Sequence, residues 1–263
     1  MPANGKTAPR GQKPLTGYAA LRARVAKARA THAGRTAGDR AHRVLDAYLA
    51  AAEQQGRPVQ DAIADMARGE AAWQIGMALR DETLRAPPAI ARDAACASGC
   101  AFCCILDGGD GGTITEAEAR RLHQALAPHA GEPDGRAWHP GACAALDPAT
   151  RNCRAYDARP MICRSFLSTD AAACETNAAG GAAAGAGVLG SHVDYLAVHA
   201  LARSALKGIA RVSTYSMARV AAGATGGEDA EPCLDAARHR PRALEDACRD
   251  IVRAGASDRA RIT

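Results

Sequence analysis

The sequence predicts a mostly α-helical protein whose helices surround an irregular, cysteine-rich centre. Apolar residues recur at helical spacing along much of the chain, whereas strand-like runs are nearly absent. The composition is 48% hydrophobic but only 3% aromatic, so the core is built from small side chains that favour closely packed helices. Ten cysteines are present, and four of them fall in the nine-residue stretch CASGCAFCC, residues 96–104.

The first ninety residues predict a tail followed by three helices. Residues 1–14 have the Gly, Pro, Lys and Ala composition of a disordered basic tail. From Leu15, two helices are predicted from apolar residues at helical spacing: Leu21, Val25 and Ala28, then Val44, Tyr48 and Leu49. A third helix is expected to open at Pro58 and to run through Leu79. The proline pair in APP, residues 86–88, then closes a helical N-terminal region, residues 15–90.

The middle of the chain, residues 91–175, predicts a cysteine-rich domain. A short helix from Ala89 leads into the cysteine run, and LDGGDGGTITE follows as a loop. Thr115 and Glu118 have the spacing of a capping box, which predicts a helix through Leu126. Residues 127–162 are rich in Pro, Gly and Asp and predict irregular structure, and MICRSFLST is weakly strand-like.

The last third predicts a linker and two helices. Residues 176–190 are Gly- and Ala-rich and are predicted to be a linker. The C-terminal region, residues 191–263, predicts a long helix from His192 to about Val220 and a terminal helix from Pro241 to about Arg253. The segment at 185–190 satisfies GxGxxG, but no hydrophobic strand precedes it, so nucleotide binding is not predicted.

Charge and hydropathy restrict the location and the partners. No stretch approaches the roughly 18 apolar residues of a membrane span, and the N-terminus lacks the apolar segment of a secretory signal, so we expect a cytoplasmic protein. The net charge is +5, and residues 1–43 carry ten Lys and Arg against the single acid Asp39. This basic arm can contact an acidic protein partner. Nucleic acid is a weaker candidate, because few aromatic residues are available to stack on bases.

The cysteine run predicts converging thiols. In a helix of about 100° per residue, positions 96, 100, 103 and 104 fall within an arc of about 100°. If Gly99 breaks that helix, a loop can fold the thiols around a point instead. In a reducing compartment such thiols are more often ligands or reactive thiols than disulfides. Converging thiolates repel one another, and a soft cation or an iron–sulfur cluster removes that cost.

A second set of cysteines lies downstream. Cys143, Cys153 and Cys163 are separated by nine residues each, and three arginines, Arg154, Arg159 and Arg164, put positive charge beside the sulfurs. Nearby positive charge lowers thiol pKa and stabilises an anionic site. Cys174 is either an extra ligand or a free buried thiol. His139 is a possible nitrogen ligand, whereas Cys233, Cys248, His192 and His199 are better explained by packing.

These residues resemble a known family. Cys96-x3-Cys100-x2-Cys103-Cys104, followed by Thr-x-Thr-Glu at 113–116, is similar to the zinc- or iron-chelating cysteine-cluster family, the YkgJ-like proteins. The second half of that family's pattern is matched in register by Cys153, Tyr156, Arg159, Pro160, Cys163, Arg164 and Phe166. The resemblance covers residues 91–175 and implies a metal-binding module for zinc, iron or an iron–sulfur cluster. Some members resemble flagellin lysine N-methylases, for which an iron–sulfur cluster is implied.

The sequence therefore predicts a metal-binding protein, with an iron–sulfur-dependent enzyme such as a protein lysine N-methylase as the alternative. Eight cysteines are candidate ligands: Cys96, Cys100, Cys103, Cys104, Cys143, Cys153, Cys163 and Cys174. A 4Fe-4S cluster is favoured over zinc or iron ions, because arginines offset the negative charge of a cluster held by four thiolates. Adjacent residues diverge by about 100° on a helix, so a downstream thiol, Cys153 or Cys163, is expected to join the same centre.

Overall fold

A computed structural model describes residues 15–260 except 182 and 185, with side chains up to Arg253. The predicted tail at 1–14 and the glycine at 185 lie outside the described residues. The helices are α1 Tyr18–Lys27, α2 Arg35–Gln54, α3 Val59–Arg68, α4 Glu70–Arg85, α5 Ala89–Arg92, α6 Glu116–Leu126, α7 Met161–Ser165, α8 Ala171–Ala178, α9 Gly190–Ala205, α10 Met217–Thr225, α11 Ala230–Ala237 and α12 Ala243–Ala260. The strands are β1 Thr113–Thr115, β2 Phe166–Ser168, β3 Ala186–Val188 and β4 Thr214–Ser216.

The protein is 59% helical and its sheets are two-stranded, which confirms the mostly α class. Helix α9 lies at the centre of the larger core and packs against α1, α2, α3, α4, α7 and α12. Small residues allow close packing here: a Cβ atom added to Gly76 of α4 would lie 3.0 Å from the Cβ of Tyr195 on α9. None of the helices in the described part of the chain is both long and apolar enough to cross a bilayer.

A second, smaller core includes residues of the cysteine-rich segment. It is formed by α6, α10 and α11 and includes Ile114, Leu122, Tyr215 and Val220. Strand β4 from the C-terminal region pairs antiparallel with β1, with Thr113 opposite Ser216. Residues of the C-terminal third therefore pair and pack with the cysteine-rich segment.

The predicted capping box is confirmed, and it also joins the two cores. Glu118 is 1% exposed, and its carboxylate accepts hydrogen bonds from the backbone N–H (2.9 Å) and the hydroxyl (3.0 Å) of Thr115. The same carboxylate accepts from the backbone N–H of Met161 on α7 (2.7 Å) and from the hydroxyl of Tyr195 on α9. One buried side chain thus fixes the positions of α6, α7 and α9.

Two sequence-based predictions of helices are corrected. The expected third helix is two helices, α3 and α4, because Gly69 takes a left-handed conformation (φ 81°) and a Cβ atom there would overlap the side chain of Thr115. The expected long helix from 192 to 220 ends at Ala205, since residues 214–216 pair with β1 instead and Ser216 then caps α10 by accepting from the backbone N–H of Arg219.

The strand-like MICRSFLST is a strand only in part. Its first half is helix α7, which follows Pro160, and only Phe166–Ser168 is extended. Strand β2 pairs with β3, with Phe166 opposite Val188. Residues within the predicted 176–190 linker therefore take part in a two-stranded sheet.

Candidate metal centre

Backbone hydrogen bonds bring three cysteine-bearing segments side by side. The backbone N–H of Cys143 donates to the carbonyl of Cys104 (2.8 Å), and Ile105 forms a bridge with Ala142. Further on, Leu146 forms an antiparallel bridge with Cys153. The segments that carry Cys104, Cys143 and Cys153 are therefore neighbours in one irregular layer, as the sequence predicts for the centre.

The cysteine run itself is a loop rather than a helix. Gly99 has a positive φ of 77°, and only Phe102–Cys104 forms a single 3-10 turn. Asn152 holds this loop, because its side-chain oxygen accepts from the hydroxyl of Ser98 (2.8 Å) and the backbone N–H of Gly99 (3.0 Å). Of the two arrangements open from the sequence, the structure has the one in which Gly99 breaks the helix.

The third downstream cysteine is carried by a short helix. Pro160 precedes α7, on which Cys163 lies, and the backbone N–H of Met161 is held by the buried carboxylate of Glu118. The thiol of Cys163 contacts the thioether of Met217, with Sγ and Sδ 3.3 Å apart. Met217 was not among the residues predicted from the sequence.

The pKa values of five thiols are shifted by burial and by one another. Cys103 is exposed, and its interaction with the neighbouring Cys104 thiol lowers the pKa of Cys103 to about 7 and raises that of Cys104 far above its usual range. Burial raises the pKa of Cys143 to about 11. Burial is also the main cause of the raised pKa values of Cys153 and Cys163.

These five thiols also repel one another as thiolates. The charges of Cys143 and Cys163 each add to the raised pKa of Cys104, and that of Cys153 adds to the raised pKa of Cys143. Cys103, Cys104, Cys143, Cys153 and Cys163, which we call the inner cysteines, therefore form one electrostatic group. A bound cation would stabilise their thiolates together.

The remaining candidate cysteines lie at the edge of this group. Cys96 is exposed, and its sulfur is 3.8 Å from the carbonyl oxygen of Ser168. Cys100 is half-buried in the loop. Cys174 is half-buried on α8, which packs against the 3-10 turn at Phe102–Cys104. We call these three the outer cysteines.

Of the three arginines singled out in the sequence, Arg159 is the one whose charge acts on the inner cysteines; Arg136 acts on Cys143 as well. The positive charge of Arg159 lowers the pKa of Cys103 and opposes the raised pKa of Cys163. The guanidinium carbon lies 3.7 Å above the ring of Tyr156, which is 59% exposed. Arg164 instead donates to the backbone carbonyls of Asp157 and Arg159 (2.5 and 2.7 Å), so it holds this turn in place.

Arg154 forms ion pairs with the carboxylates of Asp147 (3.3 Å) and Glu132 (3.5 Å).

The other residues singled out in the sequence have structural contacts. Nδ1 of His139 accepts a hydrogen bond from the backbone N–H of Gly141 (3.1 Å), so that nitrogen supports a turn. Cys233 and Cys248 are buried against the carbonyls of Val220 and Leu196, in agreement with a packing role: their sulfurs lie 3.6 and 4.0 Å from those oxygens.

Part of the predicted basic arm is used within the fold. Arg22 pairs with Asp46 (2.7 Å), and Arg40 pairs with the buried Asp194 (2.8 Å). Arg24 donates to the carbonyl of Ala205 at the end of α9 (2.8 Å). These three cations support the helical body.

The donor set fits a thiophilic metal in its chemistry. Thiolate sulfur is the preferred ligand of structural zinc and of iron–sulfur clusters. Within the part of the chain that the structure describes, no three His, Cys, Asp or Glu side chains are spaced as ligands of a single ion. The sulfurs are therefore gathered into one neighbourhood without closing on one point, and the identity of the ligands stays a prediction.

Two surface grooves lie elsewhere. One, of about 470 Å³, is lined by charged side chains at the end of α3 and the starts of α4 and α6: Arg68, Glu70, Glu116, Arg120 and Arg121, together with Ala117. The other, of about 460 Å³, lies where α2, α9 and α12 meet. Neither groove is lined by a cysteine, so neither opens onto the sulfurs.

The fold and the site together define a helical protein built around a cysteine-rich domain. Residues 95–180 match the family model CxxCxxCC, which is described as a "Putative zinc- or iron-chelating domain". This match confirms the resemblance of this segment to a cysteine-cluster family that was found in the sequence. It contains all eight candidate cysteines and spans about a third of the chain. Comparisons with curated proteins and with solved structures found no match.

Proposed function

We propose that this protein binds a metal through the cysteine thiolates of its family domain, with a 4Fe-4S cluster favoured over zinc or iron ions. One observation supports the proposal above all: backbone hydrogen bonds join the segments that carry Cys104, Cys143 and Cys153. These hydrogen bonds, together with the position of α7 held by Glu118, group five thiols whose negative charges oppose one another. In a metal-free site, the thiolates repel one another, which destabilises each of them. A bound metal cation offsets this repulsion.

We assign the primary ligands to the inner cysteines and supporting roles to the outer ones. Four thiolates suffice for tetrahedral zinc or for one cubane cluster. The outer cysteines, Cys96, Cys100 and Cys174, are then alternative ligands or ligands of a second metal. When bound, a cluster would supply electron transfer or a structural link, and zinc would supply a structural link alone.

Arg159 supports the choice of a cluster. A cubane with four thiolate ligands carries net negative charge, and the positive charge of Arg159 acts on Cys103, Cys153 and Cys163. The proposed location is the cytoplasm, because a reducing compartment keeps cysteines available as thiolate ligands.

A variant pair tests the proposal. Cys143 and Cys248 are both buried, but only Cys143 lies among the inner cysteines. Cys143→Ala should lose most of the bound metal, whereas Cys248→Ala should retain it at the wild-type stoichiometry. Metal content is measured by elemental analysis after anaerobic purification, with circular dichroism to show that both variants are folded. Equal metal content in the two variants would reject this ligand assignment.

A further inference from the structure

The sulfur of Met217 is positioned beside the candidate metal ligands, although it lies outside the segment that matches the family model. Its Sδ is 3.3 Å from Sγ of Cys163. Met217 is the first residue of α10 and is 5% exposed, in the same apolar cluster as Cys143. A thioether is a soft, neutral donor, and soft cations accept thiolate and thioether ligands together.

The glycine-rich loop that precedes β1 fixes the position of this methionine. The backbone N–H of Met217 donates to the carbonyl of Gly112 (3.2 Å), and that of Ala218 donates to the carbonyl of Asp110 (2.9 Å). A Cβ atom added to Gly111 would lie only 2.6 Å from the methyl carbon of Met217. The loop can therefore close over the methionine only because it has glycine at that position.

Packing alone does not distinguish a ligand from a core methionine, because methionine commonly fills irregular gaps. Met161 provides the comparison within the same chain. It is fully buried and lies two residues before Cys163, but its methyl group packs into the helical core near Gly76. Met217 differs because its sulfur, rather than its methyl group alone, contacts a candidate ligand.

We infer that Met217 supplies a thioether ligand to a metal ion held by Cys163, so that the centre without a cluster takes the soft cation copper(I). This inference rests on the proposed metal-binding function. Two sulfur ligands on one tetrahedral ion lie about 3.8 Å apart, given metal–sulfur bonds of about 2.3 Å. The observed 3.3 Å separation is close to that value, so a small side-chain adjustment brings both sulfurs to a common ion.

The test compares Met217→Leu with the matched control Met161→Leu in the full-length protein. Copper(I) and zinc affinities are measured anaerobically by competition with chromophoric chelators. Met217→Leu should weaken copper(I) binding about tenfold or more and zinc binding less, because zinc depends on the thiolates. Met161→Leu should leave both affinities unchanged. Equal copper(I) affinity in wild type and Met217→Leu would overturn the inference alone, whereas a wild-type chain that binds neither cation would overturn the proposed function as well.

A second measurement does not depend on the folding of a variant. Wild-type protein labelled with selenomethionine is loaded with copper(I), and X-ray absorption at the copper edge is recorded. Copper–selenium scattering is expected at bonding distance. A copper site with sulfur neighbours and no selenium neighbour would show that Met217 only packs against Cys163.

Discussion

Glu118 joins the three helices that position Cys163, and we predict that its removal destabilises the whole protein. Its carboxylate accepts hydrogen bonds from the backbone N–H of Met161, from the hydroxyl of Tyr195, and from the backbone N–H and hydroxyl of Thr115. Glu118→Ala leaves these buried donors without an acceptor. Each buried, unsatisfied polar group costs about 1–3 kcal/mol. Because neighbouring losses are not additive, we expect a total of roughly 3–6 kcal/mol.

Two milder variants separate the contributions. In Glu118→Gln, one side-chain oxygen remains as an acceptor. The amide nitrogen then faces either the backbone N–H of Met161 or the donors of Thr115 and Tyr195, so we expect the free energy of unfolding to fall by about 1–3 kcal/mol. Tyr195→Phe removes a single donor and leaves the carboxylate with its other partners, so about 1 kcal/mol is expected. These variants remain informative if Glu118→Ala does not fold, since a domain has only about 5–15 kcal/mol of stability in total.

The assay is urea unfolding followed by circular dichroism, with Glu116→Ala as the control. Glu116 lies on the same helix but makes a partly exposed pair with Arg120 at 3.0 Å, which contributes below about 1 kcal/mol. The expected order of destabilisation is Glu118→Ala, then Glu118→Gln, then Tyr195→Phe, with the control last. A Glu118→Ala protein within 1 kcal/mol of wild type, or a control that costs as much, would refute the role given to this carboxylate.

Three further predictions concern reactivity, pH and the alternative function. In metal-free protein, iodoacetamide should alkylate Cys103 before Cys248 near pH 7.5. The pKa of Cys103 is lowered to about 7, whereas burial raises the pKa of Cys248 to about 12. Equal alkylation rates of the two cysteines in peptide mass mapping would contradict this prediction. Burial lowers the pKa values of His192 and His199 to about 4, so unfolded chains take up these protons first and stability falls as pH decreases from about 6.5 towards 4. Each histidine should cost about 2 kcal/mol by pH 5, and urea midpoints that fall as steeply in His192→Phe as in wild type would exclude its part. S-adenosylmethionine should not raise the melting temperature, and a clear increase would favour the methylase alternative.

The fold could be predicted where the signal is local. The capping box was readable because Thr115 and Glu118 are three residues apart and each supplies the partner that the other needs. The prediction of a helix beyond Ala205 was wrong because residues 214–216 pair with β1, about a hundred residues earlier in the chain. Such pairing depends on tertiary structure and overrides helical periodicity. The prediction of one continuous helix across Gly69 was wrong for a similar reason, since the close approach of Gly69 to Thr115 is a contact between distant segments.

The same distinction applies to the candidate site. The density of thiols at 96–104 predicted that cysteines converge, and the inner cysteines Cys103 and Cys104 do lie with Cys143, Cys153 and Cys163. The spacing could not rank the outer cysteines below them. The turn at Gly99 and the Asn152 contacts set the positions of Cys96 and Cys100, and α8 sets that of Cys174. Met217 carried no local signal at all: it is 54 residues from Cys163, and its sequence neighbours are typical of a helix start.

The most direct test of the account is the metal content of the full chain. The protein is purified anaerobically, its visible spectrum is recorded, and iron, zinc and acid-labile sulfide are measured per chain. We predict a brown protein that contains iron and acid-labile sulfide. A colourless protein with stoichiometric zinc would correct the choice of metal and keep the function. A folded, metal-free protein in which all ten thiols titrate freely would contradict the central claim that these cysteines hold a metal.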